Sequence, residues 1–211
     1  MLGNLKGEEG TKVSVTIVRA KKELSFSITR GEIPIRTVTS AFMLDNETGY
    51  ISIDQFSIPT ADEFHKAAIR LKAYGMKKLI LDLRNNGGGV LQSATMIADE
   101  FLPKGRIMLK TKGRKEQEKI YYSTSGGELE SIDAVVLINA FSASASEILA
   151  GALQDNDRAI IVGRRSYGKG LVQEDSPMRD GSNLRITIAR YYTPSGRCIQ
   201  KPYSGNYEEY M

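Results

Sequence analysis

Lys78-Leu-Ile-Leu-Asp-Leu-Arg-Asn-Asn-Gly-Gly-Gly89 is the stretch that decides the fold. Lys78 to Arg84 is a short apolar run typical of a buried strand. Asn85 to Gly89 interrupts it with a glycine-rich turn, and a helical pattern follows, with Val90, Ala94, Ile97 and Phe101 on one face and Pro103-Lys-Gly105 as its stop. The same order recurs downstream. Asp133 to Asn139 is a second buried strand, leading through Ala140-Phe-Ser-Ala-Ser-Ala-Ser146 into a helix that carries Ile148, Leu149, Ala152 and Leu153. Ala159 to Val162 is a third, and Leu184 to Tyr192 a fourth with clean alternation. Strand and helix in turn predict an α/β domain around a central, largely parallel sheet.

Working outward, Thr60 to Tyr74 reads as an amphipathic helix with Phe64, Ala68 and Leu71 on one face, Thr60 as its N-cap and Gly75 as its stop. Ile33 to Met43 and Tyr50 to Ile58 read as strands about the turn Asp45-Asn-Glu-Thr-Gly49. Lys12 to Arg19 and Glu23 to Thr29 read as a hairpin turning near Ala20-Lys-Lys22. Ile107 to Lys112 and Lys119 to Ser123 are two further, polar strands, and Ser204 to Met211 is a polar end expected to fray.

Composition narrows the chemistry. The chain has 211 residues, 41% hydrophobic and 26% charged, with a net charge of +4, as for an ordinary globular protein. Its basic residues are scattered and carry no interleaved aromatics, which argues against nucleic acid as a partner. Cys198 is the single cysteine, so no intrachain disulfide can form. His65 is the single histidine and lies between charges on the helix after Thr60, the pattern of a surface side chain. No spacing of histidines, cysteines and carboxylates resembles a zinc site, and no metal or cofactor is expected. A hydrolase built on this chain must do its acid–base chemistry mostly without histidine.

Three segments can carry chemistry. In Leu83-Arg-Asn-Asn-Gly-Gly-Gly89, bare glycine N–H groups ahead of a helix N-terminus can cradle an anion or a developing oxyanion, or can simply make a tight turn. Ser142-Ala-Ser-Ala-Ser146 sits where a strand gives way to a helix, a favoured place for a nucleophile, yet Ser144-x-x-Glu147 is also a capping box. Spacing alone does not choose among Ser142, Ser144 and Ser146. Gly163-Arg-Arg-Ser-Tyr-Gly-Lys-Gly170 approaches the P-loop pattern but has Gly170 where the Mg²⁺-binding hydroxyl belongs, and no helix pattern follows. A lysine between glycines can instead approach another backbone. Taken out of water, an ammonium gives up its proton more readily and can serve a serine as base.

Together these segments resemble the carboxyl-terminal processing proteases, the tail-specific serine peptidases of family S41. The resemblance runs through Gly49-Tyr-Ile-Ser-Ile-Asp-Gln-Phe56, Leu81-Asp-Leu-Arg-Asn-Asn-Gly-Gly-Gly89, Ser142-Ala-Ser-Ala-Ser-Glu-Ile148, Tyr167-Gly-Lys-Gly-Leu-Val-Gln173 and Tyr192-Thr-Pro-Ser-Gly-Arg197. It implies Ser144 as nucleophile, Lys169 as general base, Gln173 to orient the lysine, and backbone N–H groups of Ala145 and Gly88 as the oxyanion hole. It implies a crotonase/ClpP-like spiral core over residues 31–211, truncated at its C-terminal side. Residues 1–30 would be the end of a PDZ domain and its connecting strands. Unfolded or tail-exposed polypeptides would be the substrates, the bacterial envelope the location, and a homo-oligomer a possible assembly. A non-catalytic peptide-binding module of the same fold is the rival reading.

Overall fold

The computed structural model describes residues 2–31, 35–124 and 126–203. The polar end from Ser204, and part of the strand expected from Ile33, lie outside those residues. Contacts divide the chain into two units, Met1–Ile35 and Arg36–Met211.

The first unit holds a single helical turn, α1 (Leu2–Leu5), and a hairpin of β1 (Lys12–Arg19) with β2 (Lys22–Thr29). Ala20 and Lys21 both take positive φ, 50° and 63°, giving the two-residue turn whose twist suits a hairpin. β2 is exposed along its whole length, Phe26 and Ile28 included.

The second unit is built on β3 (Val38–Met43), β4 (Thr48–Ile53), α2 (Thr60–Ala73), β5 (Lys78–Asp82), α3 (Leu91–Asp99), β6 (Ile107–Gly113), β7 (Lys119–Tyr122), β8 (Asp133–Ile138), α4 (Ala145–Asp155), β9 (Ala159–Gly163), β10 (Leu171–Pro177) and β11 (Asn183–Tyr192). Five strands form a sheet in the order β3-β4-β5-β8-β9, parallel throughout except for the β3–β4 pair. Ile51, Leu81, Val136 and Ile161 lie in register across four of these strands. The first three are fully buried, together with Phe64 and Leu71 of α2, Ile97 of α3, and Leu149 and Leu153 of α4.

The opposite face is wetter than the apolar runs imply. Ile80 and Val135 are half-buried, and Ile160 is 68% exposed. The central strands are therefore sealed on one face only among the described residues.

The expected helix after Thr60 forms, but Pro59 is its N-cap residue. The Thr60 hydroxyl instead accepts the Ser57 N–H at 2.7 Å, closing the preceding turn. At the other end Gly75 has φ 95°, its N–H reaches Lys72 O, and Met76 N–H reaches Leu71 O, the crossed pair that a left-handed residue permits. The strand expected to reach Ile58 stops at Ile53.

Leu184 to Tyr192 corrects the reading most. It does not extend the central sheet. It lies in β11 of a separate antiparallel sheet, in the order β10-β11-β6-β7, and its first half is exposed. Clean alternation marks a strand with one wet face, which suits an antiparallel sheet better than a parallel core. Leu171–Pro177, read from sequence only as non-helical, is its partner β10.

Candidate active site

The carboxyl ends of β4, β5 and β8 deliver three loops to one place, as parallel sheets do for their ligand sites. The glycine-rich turn after β5 is fastened to the first loop by Phe56 N–H to Gly88 O and Val90 N–H to Phe56 O, both 2.9 Å. It is fastened to the third by Asn86, which is fully buried. Asn86 O accepts Ala143 N–H at 3.0 Å and the Ser146 hydroxyl at 2.9 Å, while its amide donates to Ile53 O at 2.8 Å.

These bonds separate the three serines that spacing could not. The Ser142 hydroxyl is buried and donates to Leu83 O at 2.7 Å. The Ser146 hydroxyl is buried and committed to Asn86 O. Ser144 is half-buried, and its hydroxyl donates to no group among the described residues. Its backbone sits at φ 54°, ψ −113°, a conformation that costs a non-glycine residue on the order of 1–3 kcal/mol. Ser144 stands at the head of α4, where its hydroxyl takes the capping role as an acceptor and is left without an acceptor of its own among the described residues. Ala145 is the first residue of α4 and its N–H has no acceptor among the described residues, so the helix start directs a bare donor and its partial positive charge beside the hydroxyl.

Gly88 packs directly against this point. A Cβ there would meet Ala143 O at 2.6 Å, Ser144 Cβ at 2.8 Å and Ala145 N at 2.9 Å, and φ is 94°. Only glycine allows the turn to come so close. The Gly88 N–H, expected as an oxyanion donor, donates here to Asn86 Oδ1 at 2.9 Å.

Lys169 reaches the same neighbourhood from the loop before β10. Glu147, at the third position of α4 and buried, is the link. Its Oε2 accepts the Ser144 N–H at 2.9 Å and the Lys169 N–H at 2.8 Å, and its Oε1 accepts the Gly168 N–H at 2.6 Å. On its other side the loop is held by Lys201 N–H to Gly168 O and Gly170 N–H to Gln200 Oε1, each 3.0 Å. Gly170 is buried so tightly there that a Cβ would fall 2.4 Å from Gln200 N. Leu171 continues as strand, which removes the helix a P-loop requires.

The Lys169 residue itself is exposed, so this chain does not supply the desolvation that the sequence reading asked for. Gln173 is exposed in β10, two residues past the start of the strand, as Lys169 lies two residues before it. His65 stands apart from this constellation, with Nδ1 2.7 Å from Glu100 Oε1 and its side chain about half exposed. Cys198 is exposed.

Behind the turn, Tyr50 donates to Asp82 Oδ2 at 2.7 Å and Arg84 Nε bonds both Asp82 oxygens at 3.0 Å. Burial alone would raise the Asp82 carboxyl, but the hydrogen bonds from Arg84 and Tyr50 outweigh it and hold the group below the usual carboxylate range. Asp82 thus stays ionised and pins the strand end from which the turn departs. Sequence reasoning missed Asn86 and the second role of Glu147. The capping box pointed to Glu147, but only as a partner for the helix start.

The model of peptidase family S41 matches residues 47–205. The carboxy-terminal processing protease CtpB of Bacillus subtilis is 40% identical over 201 residues, covering 93% of this chain and 42% of that protein. A Staphylococcus aureus protein named "Probable CtpA-like serine protease" is 36% identical over 197 residues, covering 93% of this chain and 39% of that protein. The chain therefore spans about two fifths of the length of these curated relatives. Among solved structures, the photosystem II D1 C-terminal processing protease superposes with a TM-score of 0.72 at 31% identity, over 92% of this chain and 54% of its own. The α/β spiral core expected from sequence is the fold that this match carries. The chain belongs to peptidase family S41.

Proposed function

We propose that this chain is the proteolytic core of a serine endopeptidase acting on unfolded or tail-exposed polypeptides through a Ser–Lys pair. Ser144 Oγ attacks the substrate carbonyl carbon while Lys169, as the free amine, takes the hydroxyl proton. The tetrahedral oxyanion is received by the Ala145 N–H and, once Asn86 Oδ1 releases it, by the Gly88 N–H. Collapse breaks the C–N bond, Lys169 returns the proton to the leaving amine, and an acyl-enzyme remains on Ser144. Water, deprotonated by Lys169, then attacks the acyl carbon, and collapse breaks its bond to Ser144 Oγ, which regains the proton from Lys169 as the acid leaves. Gln173 orients the lysine through a neutral amide.

The observation that carries this reading is the Ser144 hydroxyl at the start of α4, which accepts in the capping box but donates to no group among the described residues, with its own backbone and that of Lys169 bound to one Glu147 oxygen. A polypeptide laid over the exposed Lys169 would exclude water and favour the neutral amine. Such a chain is most readily recognised as an added strand, by main-chain bonds that tolerate many sequences. The exposed hairpin of the first unit fits a remnant of a PDZ domain, because a lone two-stranded ribbon is marginal in water. The two curated relatives named above are bacterial, and an envelope location is proposed from the family resemblance.

A second reading is favoured by the same Lys169 exposure and by the engaged Gly88 N–H: a module that holds peptides without cutting them. Turnover of β-casein by the parent chain, Ser144→Ala and Lys169→Ala decides between the two. Cleavage by the parent and none by either folded variant is the expected result. Equal cleavage by a variant removes its residue from the mechanism, and an inert parent that still binds casein favours the module.

A further inference from the structure

Glu147 is an acid buried to 7% exposure that receives three backbone N–H groups from two separate segments. Ordinary helix capping explains one of them, the Ser144 N–H, three residues away. The other two come from Gly168 and Lys169, on a loop after β9 with no regular structure of its own. We propose that Glu147 is a positioning residue that fixes the distance between the nucleophile and its base by holding both backbones on one carboxylate. The inference rests on the Ser–Lys reading above.

The chemistry favours a carboxylate at this position. Oε2 serves Ser144 and Lys169 together, and Oε1 serves Gly168. Charge-assisted bonds of this kind are shorter and stronger than neutral ones. The negative charge also lies in the first turn of α4, where the helix dipole favours it. A glutamine has a single acceptor oxygen, so it serves one of the two sites and turns an NH₂ toward an N–H at the other. Either orientation releases the loop from Ser144 on at least one bond.

The loop would not detach outright, because Lys201 and Gln200 hold its far side through Gly168 O and Gly170 N–H. What changes is the placement of Lys169 relative to Ser144. Misplacement of a reacting group by about 1 Å can cost on the order of 100-fold in rate. Substrate contacts are untouched, so binding should survive.

The test has two arms on the full chain. Amide exchange read by NMR on the parent should show Gly168 and Lys169 protected at least about 100-fold over Arg165, whose N–H has no acceptor among the described residues. Exchange as fast as that of Arg165 overturns the clamp. In Glu147→Gln, kcat on a peptide substrate should fall about 10- to 100-fold with KM within about twofold. An unchanged kcat overturns the proposal, as does a loss of protection along all of α4 with kcat and KM altered together, since that is a folding role only. Should Glu147→Gln not fold, the exchange arm on the parent decides. Exchange does not depend on turnover, so a failed clamp is distinguishable from a failed Ser–Lys assignment, which Ser144→Ala and Lys169→Ala report.

Discussion

Ser144 and Lys169 stand on unlike ground. Around Ser144, residues 142, 143, 145, 146 and 147 are all buried, and the loops from β4, β5 and β8 interlock through Asn86. Around Lys169 and Gln173 the chain is mostly exposed, and a few backbone bonds hold the loop to Glu147 and to residues 200–201. The proposed nucleophile is therefore part of the core, and its geometry is as stable as the fold. The proposed base is attached to that core at its edge. A change on the serine side should damage stability and turnover together, whereas a change on the lysine side should damage turnover alone.

Gly88→Ala should be the most severe break on the serine side. The added methyl would lie 2.6 Å from Ala143 O at a φ of 94°. Left-handed strain of about 1–2 kcal/mol and overpacking of about 1–3 kcal/mol would act together. Turnover should drop more than about 100-fold, and the denaturation midpoint should fall with it. A folded, fully active Gly88→Ala chain would mean that the turn does not need its close approach to Ser144.

Asn86→Ala sharpens the same contrast. It strips two buried side-chain bonds, leaving Ile53 O and Gly88 N–H without them. At about 1–3 kcal/mol for each of the two buried groups left unsatisfied, a loss of about 2–6 kcal/mol is expected in urea denaturation. Because the variant also frees Gly88 N–H, its residual turnover per folded molecule should fall less than its stability suggests.

Acid should weaken the core side next. Burial works to raise the Glu63, Asp82 and Asp155 carboxyls, yet hydrogen bonds from Val38 and Thr37, from Arg84 and Tyr50, and from Ser195, Thr193 and Arg197 respectively outweigh it and lower all three. Each binds its proton more weakly folded than unfolded. Their contribution is thus present above the unfolded values, about 3.9 for Asp and 4.3 for Glu, and is lost as pH falls through the lower folded ones. Denaturation midpoints should be level from pH 7 to about pH 5 and decline below about pH 4. In Asp82→Asn that decline should be shallower.

The contrast also explains what the sequence could and could not reveal. Lys78–Asp82, Asp133–Ile138 and the helices that follow were legible because burial on one face writes an apolar pattern into the chain. The site was legible as a set of motifs, but by spacing Ser142, Ser144 and Ser146 are equivalent, and only the resemblance chose Ser144 before Leu83 O and Asn86 O proved to occupy the hydroxyls of the other two. Those partners lie 59 and 60 residues away. Local pattern carries no record of them. The same holds for Glu147, whose capping partner is three residues off and whose loop partners are 21 and 22. β10 was missed because an exposed edge strand has little apolar pattern to show.

Gln173→Ala tests the lysine side with the smallest effect on the fold. Gln173 is exposed in an edge strand, and its place in the ladder opposite Thr187 depends on backbone groups that alanine keeps. Stability should therefore change by no more than about 0.5 kcal/mol, as for surface substitutions generally. On the proposed Ser–Lys reading, in which Gln173 orients the flexible lysine, turnover should nevertheless fall about 10-fold. Gln173→Glu separates the orienting role from mere bulk. It keeps the shape but replaces the neutral amide with a charge, so an orienting role that depends on a neutral amide predicts slower turnover than in the parent at neutral pH. If both variants cut casein as fast as the parent, the base needs no orienting partner on β10, and Glu147 and residues 200–201 are sufficient to hold the lysine side in place.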